Sequence, residues 1–94
     1  MDLKDTINMM TSEDYKERFK AEYYQTKERY ERLKAFNTKI QASKRTMYIT
    51  DGETKSVPMP THSCPLDLLE EQQGIMGHYL HILEMRAVIE GVEL

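Results

Sequence analysis

The chain has 94 residues, of which 39% are hydrophobic and 31% are charged, with a formal net charge of −3. This size allows one small domain over residues 1–94, with a modest core that usually needs oligomerisation, a metal or disulfides for extra stability. The single cysteine, Cys64, excludes a disulfide within one chain, and residues 1–10 match neither a signal peptide nor a membrane span, so we predict a cytoplasmic protein.

The first predicted element is a long helix over 12–45, preceded by a loose N-terminal arm over 1–11. Thr11 is a suitable capping residue, and no Gly or Pro follows it until Gly52. From Phe19 onward, the seam positions advance in alternating steps of four and three residues: Phe19, Tyr23, Thr26, Tyr30, Leu33, Asn37 and Ile40. This spacing is typical of a coiled-coil-like helix that packs along one narrow line.

The connection over 46–60 has the composition of a short β-hairpin. Residues 46–50 are mostly β-branched or aromatic, and Asp51-Gly52 is a favoured turn pair between two β-prone runs. Pro58 and Pro60 would end the second strand. We therefore predict a β-hairpin at this position.

A second helix is predicted over 64–90, with Pro65 in its first turn and Gly91 as its C-terminal cap. Leu68, Ile75, Ile82 and Ile89 repeat every seven residues, and further apolar residues lie beside them. This apolar face is wider than one partner helix can cover. The predicted fold is therefore mainly α: an antiparallel two-helix hairpin with a short β-hairpin in the connection, and it is oligomeric.

Two sets of candidate functional residues follow from this fold. The predicted packing and self-association residues are apolar or aromatic: Phe19, Tyr23, Tyr30, Leu33, Ile75, Met76, Tyr79, Ile82, Leu83 and Ile89. The predicted ligand-binding residues combine cations with a tyrosine that lies off the seam: Lys20, Tyr24, Lys27 and Arg29. Rings beside cations are the groups that hold bases and phosphates.

The distribution of charge leaves two interpretations open. Residues 15–45 hold ten Lys or Arg and four Glu, about +6, whereas the other residues hold three Lys or Arg and twelve Asp or Glu, about −9. The basic helix either lies against acidic segments or binds an anion such as a nucleotide. The acidic remainder argues against duplex nucleic acid as the ligand.

Metal binding and catalysis are less well supported. His62, Cys64, His78 and His81 are zinc-ligating residue types, but they fall in two separate pairs, so surface or interfacial histidines are the preferred interpretation. Cys64 precedes a helix start without a recognisable catalytic partner. Because no phosphate-binding loop or paired-carboxylate motif is present, we predict a protein that is not an enzyme and has no cofactor or metal.

Residues in both helices carry a family resemblance. They are residues 15–23 in the first helix and, in the second, residues 68–72 with Met76, Tyr79, Ile82, Leu83 and Arg86. In these positions the chain resembles small helical-hairpin proteins of tailed phages, including crAss-type phages, although its longer connection departs from them. More distantly, the layout is similar to the hairpins of phage anti-CBASS and anti-Thoeris sponge proteins, which oligomerise and sequester nucleotide-type immune signals.

This resemblance implies a phage accessory protein that counters host defence as an oligomeric sponge for an anionic nucleotide signal. Its partners would be itself and a small nucleotide signal, without a membrane. Two alternatives remain: a protein-binding inhibitor or adaptor of a host defence complex, with an anti-CRISPR-like role, and a structural accessory of the phage particle.

Overall fold

The computed structural model describes residues 3–94 and contains two long helices that pack side by side. A 3-10 turn over Lys4–Thr6 leads into the short helix α1, Ile7–Met10, and α2 (Tyr15–Thr46) and α3 (Leu66–Glu90) follow. The molecule measures 57 × 25 × 25 Å. The predicted pair of long helices is compatible with this structure, whereas the predicted β-hairpin is not, because residues 3–94 contain no strand.

The start of α2 is set by Asp14 rather than by the predicted cap Thr11. Asp14 has extended backbone angles, and its carboxylate accepts a hydrogen bond of 2.9 Å from the backbone N–H of Lys16. This bond satisfies one of the amides that the first helical turn leaves without a partner. The helix therefore begins at Tyr15, three residues after the predicted start.

The hydrophobic core lies between the first half of α2 and the second half of α3. It consists of six buried residues: Phe19, Tyr23, Leu80, Leu83, Ala87 and Val92. Val92 reaches the core because α3 ends at Gly91, whose φ of 70° turns the chain back. The Val92 N–H then donates to the Ala87 carbonyl at 2.9 Å, as expected for a glycine-capped helix end.

The two helices meet again farther from this core through a buried polar contact. The side chain of Asn37 is fully buried, and its Nδ2 donates to the Leu69 carbonyl at 3.1 Å and to Oε1 of Gln73 at 2.9 Å. Its Oδ1 has no hydrogen-bond partner among the described residues. A single polar residue in an apolar seam fixes the register of two helices at a cost in stability.

The N-terminal segment packs along a different side of α2. Ala21, which lies about 200° around the helix from Phe19, is fully buried. Close by, Nε2 of Gln25 lies 3.3 Å from Sδ of Met10, and the Arg18 guanidinium donates to the Ser12 carbonyl at 2.7 Å. The segment predicted as a loose arm thus packs on one side of α2 that α3 does not contact, near the start of that helix.

The predicted β-hairpin is wrong for two local reasons. First, α2 continues through Thr46, where the first strand was expected. Second, the Asp51 carboxylate accepts hydrogen bonds from the backbone N–H groups of Glu53 and Thr54, at 2.9 and 2.7 Å, and from the Thr54 hydroxyl. These bonds, which lower the pKa of Asp51, form a side-chain-capped turn in place of strand pairing.

Hydrogen bonds join the connection to the end of α2. The Val57 N–H donates to Oγ1 of Thr46 at 3.0 Å, and that hydroxyl donates to the Ala42 carbonyl at 2.9 Å. An isolated two-stranded ribbon is marginal in water, so local contacts of this kind prevail over it. Among residues 3–94, no helix is both long and apolar enough to cross a membrane.

Candidate functional site

Three of the four predicted ligand-binding residues share one face of α2. Lys20 and Lys27 are seven residues apart, nearly two full helical turns, and Tyr24 lies between them. Lys34 continues this line, so the lysines follow one another at intervals of about 10.5 Å along the helix axis. We call the side chains of Lys20, Tyr24, Lys27 and Lys34 the lysine face.

The lysines of this face are largely unpaired, although Glu31 lies among them, between Lys27 and Lys34. Lys27 and Lys34 are exposed, and no carboxylate of residues 3–94 pairs with either of them. Lys20 is half-buried and lies 3.6 Å from a Glu17 carboxylate oxygen. Tyr24 packs against the core, and within the described chain its hydroxyl has no hydrogen bond. This face can therefore offer ammonium groups and a phenol to an anion.

Arg29 is not brought to this face. It is two residues from Lys27 and nine from Lys20, which places it about 160° to 180° away around α2. Its side chain is exposed. The sequence brings these four residues close along the chain, but the helix separates Arg29 from the other three.

Beneath the lysine face, the Tyr23 ring connects α2 to α3. Its hydroxyl donates to Oε2 of Glu84 at 2.6 Å, and Nζ of Lys27 lies 5.9 Å from its ring centroid. Burial of the ring, together with the hydrogen bond to Glu84, raises the pKa of Tyr23 to about 12. The other oxygen of Glu84 lies 3.7 Å from Nδ1 of His81. Tyr23 thus lies next to Lys27 of the lysine face and links it to α3.

On the opposite side of the hairpin, tyrosines and carboxylates form a second polar network. The Tyr15 hydroxyl donates to Glu90 at 2.9 Å and accepts from the Arg86 guanidinium at 2.6 Å. Arg86 also pairs with Glu90 at 2.9 Å and lies over the Phe19 ring at 5.1 Å. The bond to Glu90 raises the pKa of Tyr15, and the same bond lowers the pKa of Glu90. Arg86 is therefore already neutralised, in contrast to Lys27.

One further hydrogen bond extends this network across the two helices. The Tyr79 hydroxyl donates to the Glu22 carboxylate, which raises the pKa of Tyr79. Sequence reasoning placed Tyr79 among apolar interface residues and missed its carboxylate partner. The signal for it was the acidic residue on the same side of the facing helix.

The predicted interface residues divide into two groups. One group lies inside the hairpin, either buried or half-buried: Phe19, Tyr23, Tyr30, Leu33, Met76 and Leu83. The other group is exposed on the outside of α3: Ile75, Tyr79, Ile82 and Ile89. Gly77 explains how close the helices come at Tyr30, because a Cβ at Gly77 would lie 3.3 Å from the Tyr30 ring.

The cysteine and the histidines are not assembled into a metal site within residues 3–94. Nδ1 of His62 lies 2.8 Å from the carbonyl oxygen of Cys64, and its ring meets Phe36 edge-on at 6.4 Å. These residues line an open pocket of about 450 Å³ beside the start of α3. His78 and His81 lie farther along α3, both exposed.

A comparison with protein families identifies the group to which the chain is related. The family model described as Sequestin matches residues 13–89, which include α2, the connection and nearly all of α3. No curated protein and no solved structure matches the chain. Because the match covers well over half of its length, the chain belongs to the Sequestin family.

Proposed function

We propose that this chain is a non-enzymatic phage accessory protein that counters host defence as a homo-oligomeric sponge for an anionic nucleotide signal. The family supports a binding role, because its name describes sequestration. The lysine face supports an anionic nucleotide as the ligand, since its ammonium groups and the Tyr24 hydroxyl suit phosphate oxygens.

The observation that carries the proposal is the contrast between the cations of the two hairpin sides. Arg86 is held by Glu90 and Tyr15, whereas Lys27 and Lys34 have no carboxylate partner in residues 3–94. An unpaired ammonium group on a rigid helix attracts phosphate oxygens without first breaking an ion pair. The free hydroxyl of Tyr24 adds a hydrogen-bonding group beside them.

The proposal requires no chemical step. The protein would hold the intact signal and lower its free concentration, so its capacity would depend on affinity and on the number of copies present. Charge contacts on an exposed face weaken as salt increases. We therefore expect affinity for the signal to fall between low and physiological ionic strength, with no change in the signal itself.

Calorimetric titration against a panel of cyclic mononucleotides, cyclic dinucleotides and ADP-ribose derivatives tests this function. The expected result is saturable binding of at least one member and its recovery unchanged after the protein is denatured. A chemically altered ligand would contradict the non-enzymatic role. Absence of heat with every member would contradict nucleotide sequestration, and a single dominant host protein in a pull-down would then favour the adaptor alternative.

A further inference from the structure

We infer that the outside of α3 is the surface on which two copies of this chain associate, with their α3 helices antiparallel. The inference rests on the oligomeric part of the proposed function and locates it. The surface is the outer stripe of α3, which we define as Leu68, Ile75, Ile82 and Ile89.

The outer stripe has the periodicity of a helix-packing seam. Its members recur every seven residues over three full heptads, a length of about 32 Å along the axis. Each is between 36% and 82% exposed, although all are large and aliphatic. The core of the hairpin lies on the other side of α3, at Leu80, Leu83 and Ala87. The stripe therefore forms a second seam that no described part of this chain covers.

The exposed area of the whole molecule is larger than that of a compact monomer of the same mass, and this difference supports a second copy as the partner. The chain exposes 6985 Å², whereas a compact monomer of 11.1 kDa exposes roughly 5,700 Å². The excess of roughly 1,300 Å² is larger than the roughly 800 Å² that each partner buries in a standard interface. This excess is spread over an elongated molecule, and it leaves room for an interface of standard size with a second copy, whose seam has the same length and periodicity.

The charges of α3 determine the direction of the second copy. The first half of the helix carries Asp67, Glu70 and Glu71 without a Lys or Arg, whereas the second half carries Glu84 and Glu90 together with Arg86. A parallel pair would place the two acidic halves side by side. An antiparallel pair keeps the two acidic halves apart, because each then lies beside the less acidic second half of the other helix, and it also opposes the two helix dipoles.

This arrangement gives a specific register. The outer stripe is symmetric about a point between His78 and Tyr79, so Ile75 of one copy faces Ile82 of the other. Likewise Leu68 faces Ile89. Residues close to this point, such as His78, lie near the same residue of the second copy. Residues at the ends of the stripe lie far from the same residue of the second copy.

The mass of the purified full-length chain in solution, without any nucleotide, tests the association. We expect twice 11.1 kDa by sedimentation equilibrium. Ile82→Glu should yield a monomer that keeps its helical circular dichroism. The matched control Val88→Glu changes an equally apolar residue that is 84% exposed but lies about 120° away from Ile82, and it should remain a dimer. A monomeric wild type, or a dimer that Ile82→Glu leaves intact, would overturn the inference.

Cysteine cross-linking tests the direction independently and does not require a charged variant to fold. In a Cys64→Ser background, a mixture of Ile75→Cys and Ile82→Cys chains should form a disulfide-linked dimer on mild oxidation, whereas each variant alone should cross-link slowly. Rapid cross-linking of each variant with itself would show a parallel pair and overturn the register. Both measurements are made without ligand, so they can fail while nucleotide binding succeeds, and the reverse also holds.

Discussion

The isosteric substitution Asn37→Asp is expected to destabilise the fold strongly at neutral pH and only weakly in acid. Asn37 is fully buried, and its Nδ2 donates to two oxygens, of Leu69 and Gln73. A carboxylate of the same shape would face these two acceptors without a donor of its own. The buried group would avoid this arrangement by binding a proton.

The magnitude follows from the cost of that protonation. An Asp in the unfolded chain has a pKa of about 3.9, so protonating it at pH 7 costs about 4 kcal/mol, at roughly 1.36 kcal/mol per pH unit. The neutral acid can donate one of the two hydrogen bonds, and the loss of the other adds about 1 kcal/mol. We therefore expect a loss of about 5 kcal/mol at pH 7, which is comparable to the whole stability of a small domain.

The sign of the pH dependence is the more specific part of this prediction. The folded-state pKa of the new carboxyl is raised above its unfolded value, so the penalty is present above pH of about 4 and disappears below it. The assay is urea unfolding at pH 7 and at pH 4, with Asn8→Asp as the matched control because Asn8 is exposed. If the two variants differed by less than about 1 kcal/mol at pH 7, the buried contact between α2 and α3 would be refuted.

Further predictions concern the core, the alkaline limit and the helix glycines. Leu83→Ala should cost about 2–5 kcal/mol in urea unfolding, since Leu83 is fully buried, whereas Val88→Ala at an exposed site should cost less than about 1 kcal/mol. Because the folded pKa of Tyr23 is about 12 against an ordinary 10.0, the stability that its phenol contributes is complete below pH 10 and is lost as the pH rises to 12; Tyr23→Phe should flatten this part of the melting-temperature profile. Gly74→Ala should stabilise the chain by about 1 kcal/mol, because nothing lies within 4 Å of its Cβ position, whereas the gain at Gly77→Ala should be smaller or absent owing to the tyrosine ring 3.3 Å away. Equal gains at both glycines would contradict the close helix contact.

The helices could be predicted because their apolar spacing and their end signals agree. Steps of four and three residues identified Phe19, Tyr23 and Ile40, all of which are buried, and Gly91 marked the end of α3. The same spacing predicted a position for Asn37 on the seam, although not its two hydrogen bonds. Hydrophobic periodicity determines which side of a helix is buried, but it does not reveal which polar atoms will meet there.

The connection could not be predicted because two local signals favoured different structures. The dipeptide Asp51-Gly52 is common in tight hairpin turns, but an Asp side chain also caps the backbone two or three residues ahead of it. Without a third strand or a helix to support the ribbon, the local cap prevails. In the same way, the short N-terminal helix packs along α2, a contact that no periodicity in so short a segment indicates.

Only three of the four predicted ligand-binding residues share a face, because closeness along the chain is a poor guide to closeness on a helix. Lys20, Tyr24 and Lys27 lie at intervals of three or four residues and share a face, whereas Arg29 breaks this spacing. Lys34, seven residues after Lys27, satisfies the spacing and was not included in the prediction. A helical projection of the charged residues alone would have found it.

The central claim is that the lysine face holds an anionic nucleotide, and one calorimetric comparison tests it most directly. The nucleotide that binds the wild type is titrated into Lys27→Gln/Lys34→Gln, which removes the two unpaired cations of this face, and into Arg29→Gln, which removes a cation from the opposite side of α2. We predict that the first variant loses at least tenfold in affinity, about 1.4 kcal/mol, while the second binds as the wild type does. Unchanged binding by the double variant, or loss of binding only in Arg29→Gln, would contradict the assignment of the lysine face.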